Sequence, residues 1–147
     1  MHSFSNITIR PARASDLEWL DPFYESQMRP YVELTHEWDT AKFREYFAPE
    51  ASSIIQEGGE DIGLLVVVER EDGFYIRDIL LKPEWQGRGI GSHLLRQVLD
   101  RADRKGRQVR LRVLKGNPAI RLYHRLGFTE EEELENCYQL ARLLRGV

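Results

Sequence analysis

The sequence contains a single cysteine, and this limits the kinds of site that the chain can build. Cys137 has no partner within the 147 residues, so we expect no intramolecular disulfide and no cysteine-based zinc site. His36 has no second metal ligand at helical spacing. The sequence therefore predicts no metal.

Long hydrophobic runs and an excess of basic charge are also missing. No run approaches the roughly 18–20 apolar residues of a membrane helix, and the N-terminal residues lack the charged and apolar regions of a signal peptide. The net charge is −3, which gives no electrostatic reason to expect nucleic acid. We expect a cytoplasmic protein that binds neither membranes nor nucleic acid.

Length and composition favour one globular domain over residues 1–147. Hydrophobic residues make up 41% of the chain and charged residues 31%, which is ordinary for a folded protein. A chain of this size buries about 70% of the surface that its unfolded form exposes, enough for a proper core.

A glycine-rich segment follows a strand-like stretch near the middle of the chain. The hydrophobic run at residues 74–81 stops at Pro83, and glycines then occupy every second position at Gly87, Gly89 and Gly91. An amphipathic segment follows at once. Strand, glycine turn and helix start together present backbone N–H groups and a partial positive charge to a phosphate. The segment predicts a phosphate-bearing ligand, with a plain tight turn as the alternative.

Two familiar glycine loops do not fit this segment. A P-loop needs Lys followed by Ser or Thr after its last glycine, whereas Ser92 and His93 follow Gly91. A dinucleotide-binding fold needs Gly-x-Gly-x-x-Gly in its first strand–helix turn, and here the spacing and the position in the chain both differ.

A second motif lies at residues 117–128 and predicts a short helix with both ends marked. Asn117 is a good N-cap, Pro118 suits the first helical position, and Gly127 suits the residue just past the end. Together, Gln-Gly-Arg-Gly-Ile-Gly at 86–91 and Asn-x-Ala-x-x-Leu-Tyr-x-x-x-Gly-Phe at 117–128 resemble the GNAT superfamily of acyl-CoA-dependent N-acyltransferases. The resemblance covers residues 75–128.

The remaining pattern predicts the element order β-α-α-β-β-β-α-β-α-β-β. Strands are expected at 7–10, 53–56, 62–69, 74–81, 109–113, 128–134 and 137–143, and helices at 15–28, 39–47, 89–105 and 117–126. Pro30 is expected to break the first helix. The four acids at 130–133 argue against a strand there.

This is the element order of a GNAT fold, an α/β (α+β) architecture. The resemblance implies a mixed, mostly antiparallel central sheet of about 6–7 strands, with helices on both faces and a splayed cleft for CoA.

The resemblance also implies how acetyl-CoA would bind, as co-substrate. The pyrophosphate would contact the loop and the start of the next helix, and backbone groups of the preceding strand would pair with pantetheine and polarise the thioester carbonyl. The residues concerned are Ile79, Leu80, Leu81, Gln86, Gly87, Arg88, Gly89, Ile90, Gly91 and Ser92, with Asn117 as a further pantetheine contact.

Two residues are implied for proton transfer. Tyr123 corresponds to the family's tyrosine, which protonates the departing thiolate; a half-buried packing residue is the alternative. Asp78 is the candidate base for the amine, where many members use a glutamate, and an ion pair with Arg77 or Arg110 is the alternative. A base is needed because an ordinary lysine-like amine has a pKa near 10.4.

The segment at 27–39 is expected to choose the acceptor. Tyr31 and Trp38 offer aromatic faces to a cation, and Glu33 offers charge pairing. Arg29 or His36 would instead read a carboxylate, and packing on the core is the alternative for each aromatic residue.

The sequence thus favours an enzyme that transfers an acetyl group from acetyl-CoA to a primary amine by direct attack in a ternary complex. The second hypothesis is a non-catalytic acyl-CoA-binding sensor. The acceptor is expected to be a small molecule or a peptide, and the sequence contains no motif that identifies it. Homodimers that form through the last two strands, here expected at 128–134 and 137–143, are common in the family. The resemblance therefore implies a homodimer.

Overall fold

A computed structural model of the chain describes residues 3–144 and contains seven strands and four α-helices in that range. The strands are β1 Ile7–Pro11, β2 Ser52–Glu57, β3 Glu60–Arg70, β4 Gly73–Leu81, β5 Val109–Leu114, β6 Thr129–Glu133 and β7 Cys137–Arg142. The helices are α1 Leu17–Val32, α2 Lys42–Tyr46, α3 Ile90–Arg104 and α4 Ile120–Arg125. Short 3₁₀ turns, which the sequence pattern did not predict, occur at Ala14–Asp16, Pro49–Ala51 and Pro83–Trp85.

The strands form one open sheet of mixed direction, which confirms the predicted α/β fold. Their hydrogen-bonded order is β1-β2-β3-β4-β5-β7-β6. Strands β1 and β2, β2 and β3, β5 and β7, and β6 and β7 pair antiparallel, whereas β4 and β5 run parallel. A parallel pair needs a crossover, and α3 supplies it. The pairing of β4 with β5 covers only Phe74–Ile76 and Val109–Leu111.

The residues divide into two compact units. The first contains the chain up to Val66 together with Asp78–Gly91. Its core is built from aliphatic residues of β2 and β3 and from one face of α1 and α2. The buried members are Leu20, Phe23, Phe43, Ile54, Ile55, Ile62, Leu64, Leu65 and Val66. Residues 62–66 of β3 are all buried, which is expected of a strand covered on both faces.

A polar network in this first unit ties β1 to the start of α1 and to β3. The guanidinium of Arg10 donates to both carboxylate oxygens of Asp16, at 2.8 and 2.9 Å, and to Oδ2 of Asp61 at 2.9 Å. Asp16 also accepts from the Arg13 backbone N–H and from Trp19 Nε1. These hydrogen bonds, that of Arg10 first, hold the pKa of Asp16 well below its usual range.

The second unit contains Val67–Arg77 and the chain from Ser92 onward. The apolar stripe predicted for α3 is buried at Leu94, Leu95, Leu99 and Ala102, and α3 begins and ends within one residue of the prediction. The alternating residues Val109, Leu111 and Val113 of β5 are buried as well. They share this core with Phe74, Ile76, Phe128, Leu140 and Ala141.

The acidic strand β6 forms in spite of its composition. All five of its residues are exposed, and it lies at one edge of the sheet. Glu131 pairs with Arg110 at 2.8 Å, and Glu133 pairs with Lys115 at 2.8 Å. Because an exposed edge strand buries none of its carboxylates, four acids in a row cost it little.

Three predicted helix ends were wrong. Helix α2 begins at Lys42 rather than near Asp39. Helix α1 continues through Pro30 to Val32, because a proline in the last turn removes a single backbone hydrogen bond. Helix α4 begins at Ile120 rather than at Asn117. Residues 117–119 form a turn before it, in which Oδ1 of Asn117 accepts from the Ala119 backbone N–H at 3.0 Å.

Within residues 3–144, no helix is both long and apolar enough to cross a membrane. The same part of the chain contains no group of three or more His, Cys, Asp or Glu side chains that could hold a metal ion.

Candidate functional site

The glycine loop lies between the end of β4 and the start of α3, as predicted. Gly87 and Gly89 have φ angles of 73° and 83°, in the left-handed region that side chains disfavour. Gly91 is the second residue of α3 and has no such angle. Two of the three glycines are therefore required by the backbone conformation itself.

The loop is open to solvent where a ligand would contact it. Residues 86–89 are all exposed, and Ile90 is buried at the first turn of the fifteen-residue helix α3. Apart from its chain neighbours, no described heavy atom lies within 4 Å of the Cβ position of Gly87. This free space and the helix start fit a phosphate group that approaches the backbone closely.

Side chains from outside the glycine motif hold the beginning of the loop. Nε2 of Gln86 donates to Oε1 of Gln27 on α1 and to the carbonyl oxygen of Leu81, each at 2.9 Å. The guanidinium of Arg88 lies 4.7 Å from the ring centroid of Trp85. Arg88 is exposed, so its charge stays available to an anion while its guanidinium packs on the indole.

The end of β4 contains the predicted base and the backbone groups predicted for pantetheine. Asp78 is 8% exposed, and the only other buried carboxylate in residues 3–144 is Asp16, which the Arg10 network occupies. Ile79, Leu80 and Leu81 are half-buried. Arg110, one of the alternative partners considered for Asp78, forms ion pairs with Glu131 and Asp72.

Gly63 on β3 is a residue that the sequence reasoning missed. A Cβ at this position would lie far inside van der Waals distance of the Leu80 carbonyl oxygen, 3.2 Å from its carbonyl carbon and 3.1 Å from Leu81 Cδ2. Beside it, the Lys82 backbone N–H donates to the Ile62 carbonyl at 2.8 Å. Gly63 thus permits β3 to pass close to the end of β4.

Tyr123 is held in place by the way that helix α4 ends. The Phe128 backbone N–H donates to the Tyr123 carbonyl at 3.0 Å, and the Gly127 N–H donates to the His124 carbonyl at 3.1 Å, which is a Schellman motif. The Tyr123 side chain is 8% exposed, and its ring meets that of Phe128 edge-on at a centroid distance of 6.0 Å. Both the predicted acid and the predicted packing role are compatible with this position.

Part of the segment at 27–39, which was predicted to bind the acceptor, packs against other aromatic side chains. Trp38 is half-buried, and its ring centroid lies 6.1 Å from that of Tyr24, which stacks on Phe43 at 4.3 Å. The Nε1 atom of Trp38 is buried and has no hydrogen-bond acceptor within the described part of the chain. A buried donor of this kind costs about 1–3 kcal/mol unless water or a ligand oxygen accepts from it.

Charged side chains in and just after the last turns of α1 form ion pairs with one another. Arg29 pairs with Glu25 at 2.8 Å and with Glu33 at 3.1 Å, and the hydrogen bond to Glu33 is the largest cause of its raised pKa. The charge of Glu33 is therefore partly offset by Arg29, and Arg29 is already engaged by two carboxylates. Tyr31 is half-buried beside them in the sequence.

Comparison with known proteins identifies relatives. The model of a family described as the acetyltransferase (GNAT) family matches residues 13–128. An uncharacterised N-acetyltransferase of Methanocaldococcus jannaschii is 32% identical over 77 residues, which are 51% of this chain and 34% of that protein. Thialysine N-ε-acetyltransferase of Bos taurus is 42% identical over 69 residues, 44% of this chain and 41% of that protein.

A solved structure shares the fold over nearly the whole chain. It is that of the PaiA N-acetyltransferase from Thermoplasma acidophilum in complex with coenzyme A, with a TM-score of 0.74 and 22% identity. The match covers 93% of this chain and 98% of the other. In contrast, the matched segments span well under half of the length of the two curated relatives.

Proposed function

Because the chain belongs to the acetyltransferase (GNAT) family, we propose that it transfers the acetyl group of acetyl-CoA to a primary amine. The observation that carries the proposal is the exposed loop before α3, with Gly87 and Gly89 in the left-handed region, in a chain whose family match spans both sequence motifs. We also propose that residues 1–147 form a single N-acetyltransferase domain. The name of the bovine relative specifies an amine substrate, which supports the acceptor class.

The proposed binding site uses backbone groups more than side chains. Backbone N–H groups of residues 86–92 and the start of α3 would bind the pyrophosphate, and Arg88 would add a charged contact. Backbone groups of Ile79, Leu80 and Leu81 would pair with the pantetheine arm, with Asn117 as a side-chain contact. The Leu81 carbonyl already accepts from Gln86 but has a second lone pair to offer.

Acetyl-CoA supplies an activated thioester, so the protein has to orient the amine, remove one proton before attack and protonate the departing thiolate. The second proton of the ammonium nitrogen, lost as the amide forms, would replace the one that the acid gives to the thiolate. Asp78 would accept a proton from the ammonium group, directly or through water, and so generate the nucleophile for direct attack in a ternary complex. A backbone N–H near Ile79–Leu81 would stabilise the oxyanion. Tyr123, a neutral donor at pH 7, would give a proton to the departing thiolate. Tyr31, Glu33 and Trp38 would contact the acceptor.

The first experiment measures thiol release from acetyl-CoA with a panel of small amines, amino acids, aminoglycosides and peptides, beside a titration with CoA. Amine-dependent release would support the enzyme and name the acceptor class. Tight CoA binding without release on any amine would favour the non-catalytic sensor instead.

Tyr123→Phe tests the proposed acid. We expect kcat to fall about 10²-fold while the Kd for CoA changes less than twofold, because the hydroxyl would act on the leaving group alone. Tyr138→Phe on β7 is the matched control and should keep full turnover. Unchanged kcat in Tyr123→Phe would remove Tyr123 as the acid and leave the packing role.

The cellular compartment and the oligomeric state of the protein are also proposals. We propose a cytoplasmic protein, to be checked by fractionation of the source cells. A homodimer through the late strands stays a prediction of the family resemblance, and sedimentation of the purified protein would test it.

A further inference from the structure

An aromatic residue near the N-terminus lies against the glycine loop. The Cζ atom of Phe4 is 3.3 Å, and its Cε1 atom 3.8 Å, from the position that a Cβ on Gly89 would occupy. The Phe4 carbonyl accepts from the Ile7 backbone N–H at 3.0 Å, and Ile7 begins β1, which pairs with β2. Phe4 is therefore joined to the sheet through a tight turn while its half-buried ring contacts the loop.

The two ends of the loop are held by other contacts, whereas the space beside Gly87 is open within residues 3–144. Gln86 is held by its hydrogen bonds to Gln27 and Leu81, and Ile90 is 4% exposed at the start of α3. No described atom outside the immediate chain lies within 4 Å of the Cβ position of Gly87. At Gly89, leaving aside its two chain neighbours, atoms of Phe4 are the only ones within that distance in residues 3–144.

We propose that Phe4 is a positioning residue, which holds Gly89 in the conformation that binds the pyrophosphate of CoA; this inference rests on the proposed function. Glycine can adopt many backbone angles, so a loop with two left-handed glycines loses entropy when it is ordered around a ligand. The ring of Phe4 lies on the side of Gly89 where a side chain would project, and residues 86–89 stay exposed. Phe4 thus orders the loop before the ligand arrives and leaves the loop accessible.

The test compares Phe4→Ala with the wild-type chain and with Ser5→Ala, a control in the same exposed stretch. Titration with CoA should show a Kd about three- to tenfold higher in Phe4→Ala, the cost of ordering part of the loop on binding. The KM for acetyl-CoA should rise by the same factor, with kcat within twofold. Phe4→Leu, a shorter apolar side chain, should weaken binding by a smaller factor, and it keeps the test in force if Phe4→Ala does not fold.

Hydrogen exchange of the Gly89 amide in the ligand-free protein provides a readout that a general loss of stability would not give. Exchange at Gly89 should accelerate in Phe4→Ala while amides in β2 and β3 stay protected. An unchanged or lower Kd together with unchanged exchange at Gly89 would overturn the inference. Failure of the wild-type chain to bind CoA would instead defeat the proposed function, and the exchange experiment would still report whether Phe4 orders Gly89.

Discussion

Gly63→Ala is the perturbation whose effect follows most directly from the coordinates. The new Cβ would meet the Leu80 carbonyl group, which is backbone and cannot rotate away. Carbon atoms pack at roughly 3.5–4.0 Å, and the carbonyl carbon would be at 3.2 Å with the oxygen closer still. Strands β3 and β4 therefore have to separate locally by about 1 Å, which moves the residues proposed to hold the thioester.

The substitution should lower both the free energy of unfolding and kcat. Overpacking of this kind costs about 1–3 kcal/mol of unfolding free energy, so the Tm should fall by about 4–10 °C. A displacement near 1 Å at the reacting group lowers kcat by about 10- to 100-fold. The glycine loop is not at the clash, but the backbone of Leu80 proposed to pair with pantetheine is, so the Kd for CoA should also rise, by about three- to fivefold, which is less than the fall in kcat.

Stopped assays of thiol release at saturating acetyl-CoA, with a CoA titration and a thermal melt on the same samples, measure all three quantities. Val68→Ala, which removes atoms from the same strand instead of adding one, is the control and should keep kcat within twofold. A folded Gly63→Ala variant with wild-type kcat would refute the reasoning. So would a loss that appears only in CoA affinity.

Two further predictions concern the loop and the polar network. Gly87→Ala adds a Cβ in free space but at a φ of 73°, so it should raise the Kd for CoA about five- to tenfold, seen by titration, with kcat nearly unchanged. Asp16→Asn should cost about 2–3 kcal/mol at pH 7, measured by urea unfolding. Because the pKa of Asp16 is lowered in the folded state, its contribution is present above the unfolded pKa of about 3.9 and is lost as the pH falls below it. The variant should therefore lose less stability than wild type between pH 5 and pH 2; an equal loss would contradict the assignment.

The cofactor half of the fold could be predicted because its signals are local. The glycines, the apolar stripe of α3 and the alternation in β5 each describe one element, and each element begins and ends within one residue of its predicted bounds. The start of α4 was harder to predict, because Asn117 makes the same kind of hydrogen bond in a turn as at a helix cap.

The supporting contacts of the site could not be predicted because they join distant parts of the chain. Gln27 and Gln86 are 59 residues apart, and nothing in either local pattern indicates a pair. The contacts of Phe4 with Gly89 and of Gly63 with Leu80 depend on how the strands lie in the sheet. The roles of Asp78 and Tyr123 still derive from family resemblance, and the Tyr123→Phe variant tests the second of them.

The acidic strand β6 has a consequence for how the protein behaves at high concentration. An exposed edge strand offers unpaired backbone groups to any similar edge, and this is a route to aggregation. Pairing of β6 with a copy of itself would set glutamates against glutamates, which is unfavourable while they are ionised. Glu131 stays ionised further into acid, because Arg110 lowers its pKa. Any association through this edge at neutral pH therefore has to bring basic groups to it, and acidification should make the protein less soluble.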